Sequence, residues 1–164
     1  MRELSRSARE PGRLYLTGGA TALIEGWRTS TVDVDLALVP DQDDLLRAIP
    51  RLKDELRINV ELAVPSDFVP ELPGWEERSR FVVQEGLLAV YEYDFYAQAL
   101  SKIERGHSRD LEDVAAMLAR GLVTRERLEV LFTAIEPALY RYPSIDARAF
   151  RRAVEAVTRA ARPE

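Results

Sequence analysis

Two short stretches hold the residues able to do chemistry. The first is Leu16-Thr17-Gly18-Gly19-Ala20-Thr21-Ala22-Leu23, where a glycine pair closes an apolar run and opens a helical one. The second is Val32-Asp33-Val34-Asp35-Leu36, where two carboxylates alternate with aliphatic residues. A glycine pair lets the backbone come close to a phosphate, and the free N–H groups just ahead of a helix attract anions. Side chains at i and i+2 of a strand share a face, so Asp33 and Asp35 stand side by side. Two like charges so placed repel unless a cation lies between them. Mg²⁺ suits such a pair, because it takes few carboxylates and fills its octahedron with waters and substrate phosphates. Together the two stretches suggest a site for a nucleoside triphosphate and a divalent metal.

Other residues extend that site. Thr17 and Thr21 offer hydroxyl donors beside the glycines, and Arg28 and Thr31 fall between the helix and the Asp33–Asp35 strand, where a guanidinium can steady a phosphate. Arg28 can equally pair with an acidic neighbour. Glu61 interrupts the apolar run Ile58-Asn59-Val60-Glu61-Leu62. A carboxylate there is not expected to face a core unpaired. If its strand lies beside Asp33 and Asp35, Glu61 becomes a third acidic group, completing the metal clamp used in phosphoryl or nucleotidyl transfer. His107, the one histidine, is expected in an exposed loop, and Trp27, Trp75, Tyr91 and Tyr93 read as core rather than as base-stacking surfaces.

The elements that must position these groups follow from periodicity. Residues 1–12 read as an arm or short helix, 13–17 as a strand, 20–27 as a helix and 31–39 as a strand. A helix follows Pro40, capped by Asp41 or Asp43, with a stripe of Leu45, Leu46, Ile49, Leu52 and Leu56. Residues 57–64 form a third strand, and the proline-rich 65–74 a loop. Two strands, 81–83 and 87–93, flank a hairpin turn at Glu85-Gly86. From Asp94 onward the pattern is helical: one helix ends near Gly106, a second near Gly121, a third is capped by Thr124, and a last runs from about 145 to 161. The chain therefore divides near Tyr93, into a 1–93 α/β core and a 94–164 helical lobe.

Bulk composition narrows the class. The chain has 164 residues, enough for one well-cored domain or a small domain with a helical lobe. It has no cysteine, which removes disulfides and thiolate metal sites. No run of about 18 apolar residues is present, so no membrane span is expected, and the N-terminal residues lack the apolar core of a signal peptide. A cytoplasmic location is expected. The net charge of −5 argues against a dedicated nucleic-acid binder but is compatible with an enzyme that meets RNA through a local patch. Arg148, Arg151, Arg152, Arg159 and Arg162 crowd the last stretch, as a solvated helix face or a phosphate-backbone contact.

The order Gly-Gly, short helix, Gly26-Trp27-Arg28, Thr/Ser, Asp-x-Asp resembles the nucleotidyltransferase superfamily, in particular the minimal bacterial branch of AbiEii/MenA-like toxins. The stretch Leu100-Ser101-Lys102-Ile103-Glu104-Arg105, followed by Arg109-Asp110-Leu111-Glu112-Asp113, matches a second block of that branch. The likeness covers about residues 13–118. It implies an α+β fold: a mixed-sheet, polymerase-β-like core with a C-terminal helical bundle. It further implies Mg²⁺-dependent transfer of a nucleotide from NTP, with Mn²⁺ as a substitute metal. The acceptor would be an RNA such as a tRNA 3′ end, or a protein, and a toxin role would be held in check by a separate antitoxin. On the same grounds Asp33 and Asp35 hold metal, and Glu61 joins them and polarises the acceptor hydroxyl, with Asp67 its rival as third carboxylate. Gly18, Gly19, Thr21, Arg28, Thr31 and Lys102 hold nucleotide, and Asp110 supports the site; Ser108 is expected to cap the helix that carries it. The alternative is a module of the same fold that binds nucleotide or protein without catalysis.

Overall fold

Alternating apolar residues in the first half of the chain build a single five-stranded mixed sheet. In the computed structural model, which describes residues 1–159, its strands are β1 (Gly12–Thr17), β2 (Asp33–Val39), β3 (Asn59–Leu62), β4 (Arg80–Glu85) and β5 (Leu88–Glu92), in the order β3-β2-β1-β5-β4. Antiparallel pairs β1/β2 and β4/β5 combine with parallel pairs β1/β5 and β2/β3. The chain forms two compact units. One comprises Met1–Val64 and Glu76–Tyr93; the other comprises Pro65–Trp75 and the chain from Asp94 onward.

In the first unit, strand alternation separates two faces. Leu14, Leu16, Leu36, Leu38, Leu88 and Val90 pack into one core with Leu4 of α1 (Arg2–Ser5), Ala20 of α2 (Gly19–Ile24) and α3 (Asp43–Leu56). Helix α3 contributes Leu45, Ala48, Ile49 and Leu52, an i, i+3, i+4, i+7 stripe. Tyr15, Thr17, Asp33, Asp35 and Tyr91 lie on the other face by the same alternation. Tyr15 stacks on Tyr91 with ring centroids 5.3 Å apart.

Several local expectations are corrected. Helix α2 stops at Ile24 rather than at Trp27, because Gly26 (φ 78°) turns the chain and the amides of Trp27 and Arg28 both return to the Ala22 carbonyl. Gln42, not Asp41 or Asp43, occupies the N-cap position of α3, and its side-chain amide donates to the Glu10 carbonyl at 3.1 Å instead of capping. The third strand is confined to Asn59–Leu62. The proline-rich stretch holds a 3₁₀ turn at Pro65–Asp67 and buried Val69 and Leu72, and the short α4 (Trp75–Arg78) follows it.

The second unit is built on α5 (Phe95–Arg105), α6 (Ser108–Ala119), α7 (Arg125–Ile135) and α8 (Ala147–Arg159). Asp94 caps α5 by accepting from the Tyr96 amide, and Thr124 caps α7 by accepting from the Arg127 amide. Ser108 is the first residue of α6 rather than its cap; His107 holds that position, and its side chain makes no capping bond. Leu100, Ile103, Val114, Met117, Leu128 and Phe132 are fully buried, and Phe132 meets Phe150 edge-on at 4.9 Å. The predicted end of the last helix at 161, and Arg162 of the arginine run, lie outside the described residues. No helix among the described residues is long and apolar enough to cross a membrane.

Candidate active site

The acidic residues of the first unit come together through strand register. Thr17 lies opposite Asp35 across β1/β2, while Asp33 is opposite Asn59 and Asp35 opposite Glu61 across β2/β3. Partners in register project to one face, so Asp33, Asp35, Asn59 and Glu61 form a polar patch at that edge of the sheet. The Asn59 side-chain amide donates to Asp33 Oδ1 at 3.3 Å and to Glu61 Oε1 at 2.9 Å. One neutral donor thus spans two exposed carboxylates. Asn59 was not singled out in the sequence, although its place two residues before Glu61 puts it on the same face by alternation. Asp67 lies in the 3₁₀ turn of the other unit.

The glycine pair is packed against this strand. A Cβ on Gly18 would stand 2.5 Å from Asp35 Oδ2, and Gly18 has φ 62°, a left-handed conformation that L side chains rarely adopt. A Cβ on Gly19 would stand 2.5 Å from Thr31 Oγ1 and 3.4 Å from the Asp33 carbonyl oxygen. Both glycines are therefore required by the close approach of loop and acidic strand, whatever binds there. Because α2 has only six residues, its dipole adds little to any anion affinity of the loop.

The hydroxyls serve this junction. Thr21 is fully buried and donates to the Gly18 carbonyl at 2.9 Å, shaping the loop. Thr31 donates to the Asp33 carbonyl at 2.9 Å and accepts from the Asp33 amide at 3.2 Å, fixing the start of β2. Arg28 is half-buried just past α2, its backbone anchored on Ala22.

The second block has a different character. Lys102 is buried on α5, and its ammonium donates to Asp110 at 3.1 Å and Asp113 at 2.7 Å on α6. Arg105 adds a 2.7 Å bond to Asp110. The predicted phosphate-binding lysine thus closes an internal network joining two helices. Asp113, quoted with that block but given no role, is its shortest partner.

A divalent cation can be tested against these residues. Among the described residues no group of three or more acidic or histidine side chains is gathered in a geometry that would hold an ion. Two aspartates on one strand face, beside a glycine loop, fit instead a cation that arrives already bound to phosphate oxygens, the usual habit of Mg²⁺.

Glycine loop, adjoining acidic strand and mixed sheet agree with the comparison to known families. The family model described as "nucleotidyltransferase of unknown function" (DUF6036) matches residues 1–162. The chain belongs to this family. No curated protein and no solved structure matches it. Its α+β architecture with a five-stranded mixed sheet is consistent with a nucleotidyltransferase fold. The family assignment carries with it a nucleotide substrate and transferase activity.

Proposed function

We propose that the chain transfers a nucleoside monophosphate from NTP to an acceptor hydroxyl in a divalent-metal-dependent reaction. The observation that carries this reading is the contact of Gly18 with Asp35, which leaves no room for a Cβ. A phosphate cradled by the loop lies beside carboxylates that can hold its metal. Asp33 and Asp35 would hold Mg²⁺ or Mn²⁺; when bound, such an ion neutralises charge on the phosphates and on the leaving oxygen. The Gly18–Gly19 amides and Arg28 bind and orient phosphate oxygens. Glu61, in register with Asp35 and exposed, accepts a hydrogen bond from the acceptor hydroxyl and orients it for attack.

An RNA 3′ end, such as that of tRNA, is the proposed acceptor, and a toxin role checked by an antitoxin is proposed with it. Both rest on resemblance to the AbiEii/MenA-like branch. Titration calorimetry with each NTP and Mg²⁺, followed by transfer of labelled NTP to total RNA, tests the reading. The expected result is Mg²⁺-dependent NTP binding and RNA labelling that Asp33→Ala removes. Binding without transfer, indifferent to Asp33→Ala, would overturn it in favour of a non-catalytic nucleotide-binding module.

A further inference from the structure

On the helix-covered side of the sheet lies a second group of charges. Glu92 ends β5, paired in register with Leu16 of β1 and Arg80 of β4. It is buried, 2% exposed, and one of its carboxyl oxygens has no hydrogen-bond partner. Arg80 lies 4.0 Å from it and also meets Glu25 at 3.0 Å, and the Glu25 charge acts on Glu92. Its register partner on β1 is the apolar Leu16. Glu25 is the C-cap residue of α2, the helix that begins at the glycine pair.

A six-residue helix has little stability of its own, so its place is set by whatever holds its two ends. The leading end rests against β2 through Gly18 and Gly19. The trailing end is held by Glu25, Arg80 and Glu92. The Ala22 carbonyl just before that end accepts from both the Trp27 and Arg28 amides. Whatever shifts Glu25 therefore shifts Gly18 and Arg28 with it.

We propose that Glu92 is a positioning residue for the glycine loop, acting through Glu25 and Arg80 as a proton-dependent clasp. It rests on the reading of that loop as the nucleotide site. With Glu92 neutral, its carboxyl O–H donates to the Glu25 carboxylate, and Arg80 balances the remaining charge. With Glu92 ionised, two carboxylates confront each other, one of them buried, with a single half-exposed guanidinium between them. Burial, then the Glu25 charge, raises the Glu92 carboxyl from 4.5 to about 7, with Arg80 opposing. The folded state therefore binds more protons than the unfolded one between these values. The stabilisation is complete below about 4.5 and is lost as pH rises through about 7.

The test compares the full chain with Glu92→Gln, a neutral isostere that keeps the clasp closed at all pH values. Two quantities are measured at pH 6 and pH 8.5: amide hydrogen-exchange protection of residues 18–28, corrected for intrinsic exchange, and the Kd for ATP with saturating Mg²⁺. In the unmodified chain, protection is expected to fall and Kd to rise about fivefold over that interval, with less than about a twofold change in Glu92→Gln. An identical pH response in both proteins, or constant protection in the unmodified chain, would overturn the clasp. If neither protein binds any of the four NTPs at either pH, the nucleotide reading falls, and the protection data alone still decide the clasp.

Discussion

Two sets of carboxylates in this molecule have opposite fates. Asp33 and Glu61 sit exposed at the β2–β3 edge and share a neutral amide, Asn59. Asp110 and Asp113 are buried between α5 and α6 and meet the Lys102 ammonium directly. Where the counter-charge belongs to the chain itself, the carboxylates are consumed in holding helices together. Where the nearest donor is a weak, uncharged amide, they retain the capacity to take a cation from outside. A buried ion pair costs so much desolvation that it gives little net stability, yet removing one partner is severe. An exposed acidic edge costs little to keep.

The contrast can be broken most sharply at Asp35. Asp35→Asn keeps the shape of the strand and should reduce nucleotide transfer at least about a thousandfold, some 4 kcal/mol of transition-state stabilisation, with the thermal melt nearly unchanged. Next in size, Lys102→Met should destabilise the fold by about 3–5 kcal/mol in urea unfolding, because buried Asp113 and Asp110 lose the Lys102 ammonium and Arg105 reaches only Asp110. Should that variant keep its stability and lose NTP affinity, Lys102 would belong with the exposed set, as the family likeness implies. Gly18→Ala combines positive-φ backbone strain of roughly 1–3 kcal/mol with displacement of Asp35. Transfer should drop about 10- to 100-fold, more than its stability loss accounts for. The mildest change is Asn59→Ala. Loss of the shared donor should lower stability by about 1 kcal/mol or less, and added salt should erase most of that by screening Asp33 from Glu61.

The site in the first unit was largely legible because strand geometry obeys a period of two. Asp33 and Asp35 had to share a face, and Glu61 joined them once β3 paired with β2. The same period would have found Asn59. The glycine pair was legible as a close approach; that the atoms approached are Asp35 Oδ2 and Thr31 Oγ1 is set by the fold. Hydroxyls and long cations were less readable. Thr21 looked available for a ligand but bonds back to Gly18, three residues away. The partners of Lys102 lie 8 and 11 residues on, across the turn at Gly106, so choosing between them and a phosphate is a tertiary decision. Prolines hid the structure of residues 65–74, where Val69 and Leu72 behave as core residues despite a loop-like sequence.

That last stretch has a consequence for how the protein is made. Pro65–Trp75 is synthesised before α5, yet its 3₁₀ turn packs on α5, its Ser66 carbonyl accepts from the Tyr142 hydroxyl at 2.9 Å, and its Phe68 lies under Arg105. At about 5–20 residues per second, the ribosome needs several seconds to deliver those partners. Meanwhile Val69 and Leu72 are tethered between two halves of a unit whose every strand is already outside the exit tunnel soon after Tyr93 appears. A nascent chain stalled there would carry a near-complete sheet and an apolar loop whose packing partners have yet to be made.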